Sequence, residues 1–209
     1  MTMTAPLFFY FDLGNVLLKF DYAVACRQMA EVAGISAERV GEIIFDDGLQ
    51  LAYERGLLST DDFYDAFCER SGSRPPLADL ALAASDIFEM DANVAAVVER
   101  LRASGRRLGV LSNTCAAHWE FCSGTRFPLL DTAFDVAVLS YKLGTLKPEP
   151  AIYRTAIDLA GARPEEVFFV DDRAENVAGA LDAGMDAVQF TSASGLIRDL
   201  EKRGVCLDV

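Results

Sequence analysis

The stretch Phe8–Leu17, with the sequence FFYFDLGNVL, decides the fold of this chain. Its apolar run ends on the carboxylate of Asp12, and Gly14 follows two residues later. A short apolar run that ends at a turn signal is typical of a buried strand, and bulky side chains on both faces suit the centre of a parallel sheet. Asp12 is then expected at the carboxyl end of that strand, where open α/β sheets bind ligands. The alternative is an aspartate that only begins a turn.

Composition narrows the class of protein. The 209 residues are 52% hydrophobic and 24% charged, which is typical of a globular chain large enough for a full α/β core. The formal net charge of −13 argues against nucleic acids and anionic membranes as partners, because both need a basic surface. The net charge does not argue against a small phosphorylated substrate, since such a ligand responds to the local electrostatic field of its pocket. The five cysteines form no CxxC pair and no zinc spacing, so reduced thiols are expected.

The sequence predicts neither a signal peptide nor a membrane-spanning segment. No apolar stretch is long enough to span a bilayer, and residues 1–6 lack the basic region of a signal peptide. A cytoplasmic protein is therefore expected, as a monomer or a homodimer.

The chain divides into a helical block and an alternating remainder. Apolar residues at helical spacing predict helices and no strand in residues 21–88, a helical domain of roughly 70 residues inserted after the first strand. From Asp91 onward strands alternate with helices, which predicts a parallel sheet built from residues 1–20 and 89–209. The further predicted strands are Leu108–Asn113, Ala137–Ser140, Val167–Asp172 and Ala187–Phe190.

Polar side chains end three of the predicted strands: Asp12, Ser112–Asn113 and Asp171–Asp172. Lys147 lies just before a predicted helix that begins at Pro150. Because the carboxyl ends of neighbouring parallel strands meet at one edge, we expect these groups to converge. Carboxylates bind Mg²⁺, lysine and hydroxyl groups stabilise phosphate oxygens, and a carboxylate can attack phosphorus. The set therefore predicts phosphoryl transfer.

Four short motifs occur in an order that resembles the haloacid dehalogenase superfamily, over nearly the whole chain. They are DLGNV at 12–16, LSNT at 111–114, KPE at 147–149, and VDDR at 170–173 with Asn176. The first two look like the subgroup that contains a bacterial α-D-glucose-1-phosphate phosphatase. The resemblance implies a Rossmann-like α/β fold with a three-layer parallel sheet, a small helical C1 cap at residues 21–88, and Mg²⁺-dependent phosphatase activity.

The resemblance also implies a nucleophile and a metal site. Asp12 falls on the family's nucleophile. The Mg²⁺ ligands fall on Asp12, the backbone carbonyl of Gly14 and Asp172. Asp171 falls on a supporting residue, either beside the ligands or bound to the metal through water.

The phosphate-binding roles fall on three further residues. Ser112 matches the hydroxyl that holds phosphate, with Asn113 beside it, and Lys147 matches the catalytic, phosphate-binding lysine. Lys142 is a rival for that role in the same loop, and only the proline after Lys147 favours the latter. Asn176 is expected to order the loop rather than to contact substrate.

Gly14 departs from the family's pattern. Most phosphatases of this family carry a second aspartate two residues after the nucleophile, which protonates the leaving group and later activates water. Such general acid–base catalysis typically contributes ~10²–10⁴-fold. Another residue supplies the proton here, or water and the substrate do, or the activity is low.

Other candidate groups lie near the second motif and in the helical block. His118 is the only histidine, and with Cys115 it suggests a Cys–His nucleophile, although no orienting third residue is evident. His118 could instead face the pocket and donate a proton. The residues Tyr53, Glu54 and Arg55 could reach substrate, but a solvated helix end is the expectation.

We therefore expect a Mg²⁺-dependent hydrolase of small phosphomonoesters such as sugar phosphates, working through an aspartyl phosphate at Asp12. A dehalogenase that attacks carbon also lacks the second aspartate, but it needs no metal, and the acids Asp171 and Asp172 argue against it. The non-enzyme alternative is a binding or regulatory protein that lost turnover at Gly14.

Overall fold

The computed structural model describes residues 5–207, in which strands and helices alternate around one parallel sheet. The strands are β1 (Phe8–Phe11), β2 (Leu18–Lys19), β3 (Glu89–Met90), β4 (Arg107–Ser112), β5 (Val136–Leu139), β6 (Val167–Asp171) and β7 (Asp186–Gln189). The helices are α1 (Tyr22–Ala33), α2 (Ala37–Gly41), α3 (Leu49–Glu54), α4 (Thr60–Ser71), α5 (Leu77–Ser85), α6 (Ala92–Ala103), α7 (Ala116–Cys122), α8 (Leu129–Thr132), α9 (Ser140–Leu143), α10 (Pro150–Ala160), α11 (Ala174–Asp182) and α12 (Ala193–Glu201). A π-helical turn spans Glu42–Asp46 and a 3-10 turn spans Pro164–Glu166.

Strand β1 lies at the centre of the main sheet. The strand order is β5-β4-β1-β6-β7, and every neighbouring pair is parallel. Phe11 lies level with Val110 of β4 and Val170 of β6, and the amide of Asp12 donates to the carbonyl of Val170 at 3.0 Å. The residues after β1, β4 and β6 therefore meet at one edge of the sheet.

Alternating side chains of β1 supply both faces of the core, because successive residues of a strand point to opposite sides. Phe9 and Phe11 pack in a cluster with residues of α6 and α12, whereas Phe8 and Tyr10 pack in a cluster with residues of α10 and α11. All four are fully buried. Helices thus cover both faces of a parallel sheet, and the predicted three-layer α/β fold is confirmed.

The chain between β2 and β3 holds only helices and turns, α1 to α5 among them. Its buried side chains, such as Met29, Ile43 and Phe67, form a hydrophobic cluster of their own, to which Cys115 also belongs. The antiparallel pair β2–β3 joins Leu18 to Met90 and brings the two ends of this helical segment together.

Some boundaries differ from the predicted ones. Strands β2 and β3 were not predicted, since two residues are too few to show a period. Ser140 was assigned to a strand but begins α9. Among residues 5–207, no helix combines the length and the hydropathy that a membrane crossing requires.

Candidate active site

A cavity of about 360 Å³ lies at the edge of the sheet where the sequence predicted a site. Carboxylate oxygens of Asp12, Asp171 and Asp172 lie within 4.8 Å of one another. We use the name floor for the sheet-side residues Asp12, Gly14, Ser112, Asn113, Lys147, Asp171 and Asp172. We use the name roof for the opposing residues Phe20, Tyr22, Glu54, Phe88 and His118, all of which line the cavity.

Lys147 ties the floor together. Its side chain is buried, and Nζ lies 2.6 Å from Oδ2 of Asp171, 2.9 Å from Oδ1 of Asp12 and 2.9 Å from the carbonyl of Leu111. These contacts match the three donors of an ammonium group. Burial alone would lower the pKa of Lys147, but the two carboxylates more than offset it and the pKa is raised. Lys142, the rival in the sequence, is exposed.

Asp12 is buried beneath the cavity at the end of β1. Its Oδ1 also accepts the amide of Leu13 at 2.7 Å. Burial raises the pKa of Asp12 to about 7, Lys147 acts against this rise, and Asp171 adds to it. The floor therefore holds more acid than its lysine can balance, a condition that an additional cation would relieve.

The adjacent acids Asp171 and Asp172 occupy different environments. Asp171 is fully buried and accepts hydrogen bonds from Lys147, from Nδ2 of Asn176 at 3.0 and 3.1 Å, and from the amide of Arg173 at 2.8 Å. Asp172 faces the cavity, and its Oδ2 accepts Nδ2 of Asn15 at 3.1 Å. The open oxygens of the pair are therefore those of Asp172, and Asn176 orients Asp171.

The conformation and packing of the loop after β1 account for the glycine and the asparagine at positions 14 and 15. Asn15 has φ +57°, in the left-handed region that asparagine tolerates better than most residues. Its backbone N–H donates to the carbonyl of Leu18 at 2.7 Å. Gly14 lines the cavity, and a Cβ atom there would lie 2.6 Å from Cε1 of Phe20. The ring of Phe20 thus occupies the space that a side chain at Gly14 would need.

Ser112 and Asn113 line the cavity where β4 ends. The amide side chain of Asn113 is engaged within the protein: Nδ2 donates to the carbonyl of Lys147 at 2.9 Å, and Oδ1 accepts the amide of Lys147 at 2.8 Å. This two-way contact fixes the backbone that carries the buried lysine.

The roof is mainly aromatic. The ring centroids of Phe20 and Phe88 lie 5.6 Å apart, those of Phe20 and Tyr22 lie 4.8 Å apart, and the ring of His118 stands edge-on to Phe88 at 5.2 Å. These rings give the cavity an apolar wall opposite the charged floor.

Glu54 is the acid of the roof, and the expectation of a solvated helix end was wrong. Its Oε1 accepts Nε2 of Gln50 at 2.8 Å and the hydroxyl of Tyr22 at 3.4 Å, and burial raises its pKa. Tyr53 is buried, and Arg55 pairs with Glu149 at 2.5 Å. The single sequence carries no signal for this placement, because contacts with distant segments create it.

His118 and Cys115 do not form an activated pair. Burial raises the pKa of the Cys115 thiol to about 12 and lowers the pKa of His118 to about 4. The thiol is therefore protonated and the imidazole is neutral at neutral pH, so neither the Cys–His nucleophile nor a protonated histidine acid fits this environment.

Comparison with known proteins agrees with the geometry. The family model of the haloacid dehalogenase-like hydrolases matches residues 9–184. The chain belongs to this family. The match covers β1 with Asp12, the helical segment, and the strands and loops that carry Lys147 and Asp172.

Relatives of similar length include both phosphatases and dehalogenases. D-ribitol-5-phosphate phosphatase of Bacteroides thetaiotaomicron is 28% identical over 186 residues, which cover 86% of this chain and 89% of that protein. (S)-2-haloacid dehalogenase 4A of Burkholderia cepacia is 27% identical over 190 residues, which cover 86% and 80%. Five other curated relatives are longer proteins, of whose length the chain spans between 12% and 35%.

Among solved structures, the chain is similar to a family enzyme of Bacteroides thetaiotaomicron in complex with magnesium and inorganic phosphate. The TM-score is 0.80 at 25% identity, over 89% of this chain and 94% of that one. Magnesium therefore fits the family.

Proposed function

We propose that the chain is a Mg²⁺-dependent phosphomonoester hydrolase that works through an aspartyl phosphate at Asp12. One observation carries this proposal: the carboxylate of Asp172 faces the cavity beside Asp12, and the three floor acids have one buried lysine between them. A further cation would balance the charge of such a set, and carboxylate oxygens are the ligands that Mg²⁺ prefers.

The residues present fit such an ion. Asp12, the backbone carbonyl of Gly14 and Asp172 would hold it. When bound, Mg²⁺ supplies positive charge against the phosphate oxygens and keeps the phosphate in place.

The protein residues account for the rest of the chemistry. Contacts of Oδ1 with Leu13 and Lys147 orient the Asp12 carboxylate for attack on phosphorus. Lys147, Ser112 and the backbone around Asn113 stabilise the transferred phosphoryl group. Water then hydrolyses the aspartyl phosphate and regenerates Asp12.

Substrates with a small leaving group suit the space between floor and roof. A cavity of about 360 Å³ lies at the small end of the range for ligand pockets. The name of one relative, D-ribitol-5-phosphate phosphatase, supports a phosphorylated sugar or polyol as the substrate. We propose that the helical segment, residues 21–88, acts as the cap that selects this group.

A dehalogenase is the second candidate, favoured by the glycine two residues after Asp12 and by a relative of that activity. Attack on carbon with release of halide needs no cation, so it gives the cavity-facing Asp172 no role. A binding protein with little turnover is the third candidate.

Activity assays separate these candidates. We expect phosphate release from 4-nitrophenyl phosphate and from pentose and polyol phosphates, lost in excess chelator, restored by Mg²⁺, and reduced at least about 10³-fold by Asp12→Asn. Chloride release from 2-chloropropionate without metal would support the dehalogenase, and no release from either class would support the binding protein.

Metal binding is measurable without turnover. Mg²⁺ at about 100 times its Kd should raise the free energy of unfolding by roughly 2.7 kcal/mol. Asp172→Ala should abolish this increase, and Asp158→Ala, at an exposed position of α10, should not. An equal Mg²⁺ effect in both variants would contradict the assignment of Asp172.

A further inference from the structure

The leaving group of an alkyl phosphate needs a proton, and position 14 offers no group to provide it. The space beside Gly14 is filled by the ring of Phe20. Among residues 5–207, the acids that line the cavity are Asp12, Glu54 and Asp172. The proposed function, on which this inference rests, uses Asp12 and Asp172 for attack and metal binding. Glu54 is the acid that remains.

Glu54 is held in place by contacts with loops of the floor. Its carbonyl accepts the hydroxyl of Ser140 at 2.6 Å, and the same hydroxyl accepts the amide of Thr114, the residue after Asn113, at 3.0 Å. One serine therefore ties the end of α3 to the loop after β4.

The residues after Glu54 add further contacts to the sheet side. Arg55 pairs with Glu149 through contacts of 2.5 and 3.2 Å. Gly56 has φ +72° and packs so closely on Tyr141 that a Cβ atom would lie 2.1 Å from its carbonyl oxygen. The position of the Glu54 side chain above the floor is thus set by several anchors.

The surroundings of Glu54 favour a carboxyl group that exchanges a proton. Both of its hydrogen bonds, from Gln50 and Tyr22, end on Oε1, which leaves Oε2 to carry a proton. Burial raises its pKa, while the charges of Arg173 and Lys147 on the sheet side act against that rise. The other titratable groups beside it are the phenol of Tyr22 and the thiol of Cys115, both neutral at neutral pH.

We propose that Glu54 is the acid–base catalyst of this enzyme, contributed by the roof in place of the aspartate that the floor lacks at Gly14. In the first step the Asp12 carboxylate forms a bond to phosphorus and the bond from phosphorus to the leaving oxygen breaks. The leaving oxygen takes the proton of Glu54 and departs as an alcohol. In the second step water attacks phosphorus, its proton passes to Glu54, and the bond between phosphorus and Asp12 breaks.

The test compares two substrates of similar size that lack sugar hydroxyls, 2-phenylethyl phosphate and 4-nitrophenyl phosphate. In Glu54→Gln, kcat/KM for the alkyl ester should fall about 10²–10⁴-fold, whereas kcat/KM for the aryl ester should fall less than about tenfold, because 4-nitrophenolate leaves without a proton. The second step still needs the base, so the variant should show a stoichiometric burst of 4-nitrophenol before a slow steady state.

Matched variants keep the test specific. Glu31→Gln, at an exposed position of α1, should behave like the wild type, and Glu54→Asp should recover part of the alkyl activity. Circular dichroism and thermal unfolding establish that each variant is folded. The alkaline decrease of kcat/KM for the alkyl ester should disappear in Glu54→Gln.

Three results would overturn the inference. Equal losses for both esters without a burst would assign Glu54 to binding or structure. Wild-type behaviour of Glu54→Gln, with activity still dependent on Mg²⁺ and Asp12, would reject Glu54 alone and leave the proposed function intact. Failure of the wild type to hydrolyse either ester would reject both.

Discussion

The floor and the roof of the cavity are stabilised by different forces. On the floor, one ammonium group contacts two carboxylates and a carbonyl at 2.9 Å or less, so the charges of Lys147, Asp12 and Asp171 depend on one another. On the roof, Phe20 and its aromatic neighbours pack through rings whose attraction is largely non-directional. Loss of one floor charge leaves another unpaired, whereas a change of one ring mainly alters a shape.

This difference predicts that substitutions are tolerated better in the roof than in the floor. The floor allows few substitutions, because buried charges need partners with good geometry. The rings of the roof can change, and with them the shape of the cavity, without removing a charged partner from that network. The following predictions test the comparison, beginning with the largest expected effect.

Removal of the floor lysine should have the largest effect on stability. Lys147→Met leaves the carboxylates of Asp12 and Asp171 buried without their cation, so we expect the free energy of unfolding to fall by about 3–5 kcal/mol in urea titrations without metal. Lys142→Met, at an exposed position of α9, should change the free energy of unfolding by less than about 0.5 kcal/mol. Similar small values for both variants would contradict the mutual dependence of the floor charges.

The second prediction concerns a titratable group of the roof. Because burial lowers the pKa of His118 from 6.5 to about 4, the unfolded chain binds a proton between these pH values that the folded protein does not. The contribution of the neutral His118 side chain to the free energy of unfolding is therefore complete above pH 6.5 and is lost as the pH falls towards 4. The loss should be about 3 kcal/mol.

His118→Gln isolates this contribution from that of the floor acids. From pH 7 to pH 4 the wild type should lose about 3 kcal/mol of unfolding free energy relative to the variant. A difference that is constant with pH would show that His118 takes up its proton at the same pH in the folded and the unfolded chain, and the roof would then carry a charge below about pH 6.5.

The floor could be predicted from the sequence because of one topological fact. In a parallel sheet, residues that are far apart in the chain but end neighbouring strands meet at one edge. The apolar runs before Asp12, Ser112 and Asp171 were long enough to mark those strands. That pattern does not predict the side-chain contacts within the floor, such as the two-way contact between Asn113 and Lys147.

The roof could not be predicted in the same way. Glu54 ends a short helix, and a glutamate at such a position is usually solvated. Its position depends on hydrogen bonds from Tyr22 and Gln50 to the carboxylate and from Ser140 to the backbone carbonyl. These contacts depend on how the helical segment packs on the sheet, and no local period of the sequence encodes that packing.

The third prediction probes the contact between floor and roof at Gly14. Its φ lies outside the left-handed region, so Gly14→Asp meets no backbone restriction, but the new side chain would collide with Phe20. We expect the unfolding free energy to fall by about 1–3 kcal/mol, as for other overpacked sites. In a Phe20→Ala background the same change should cost less, which a double-mutant cycle measures. Additive costs would show that the ring does not exclude a side chain at this position.

The smallest effect on the free energy of unfolding should come from the ion pair that joins the helical segment to the sheet side. Arg55 and Glu149 are exposed by 34% and 40%, and solvated pairs of this kind contribute about 0.2–1 kcal/mol. Arg55→Gln should therefore cost no more than about 1 kcal/mol in unfolding free energy. Arg74→Gln, which removes the exposed contact with Asp65 on the same segment, is the matched control.

Measurements of kcat/KM should distinguish these two variants further. The hydroxyl of Ser140 and the close packing of Gly56 on Tyr141 still hold the end of α3 in Arg55→Gln, so kcat/KM for an alkyl phosphate should fall by less than about fivefold, which corresponds to about 1 kcal/mol. Arg74→Gln should leave it unchanged. If Arg55→Gln lost alkyl activity a hundredfold while aryl activity persisted, the ion pair would be the main anchor of Glu54, and the roof would depend on charge as the floor does.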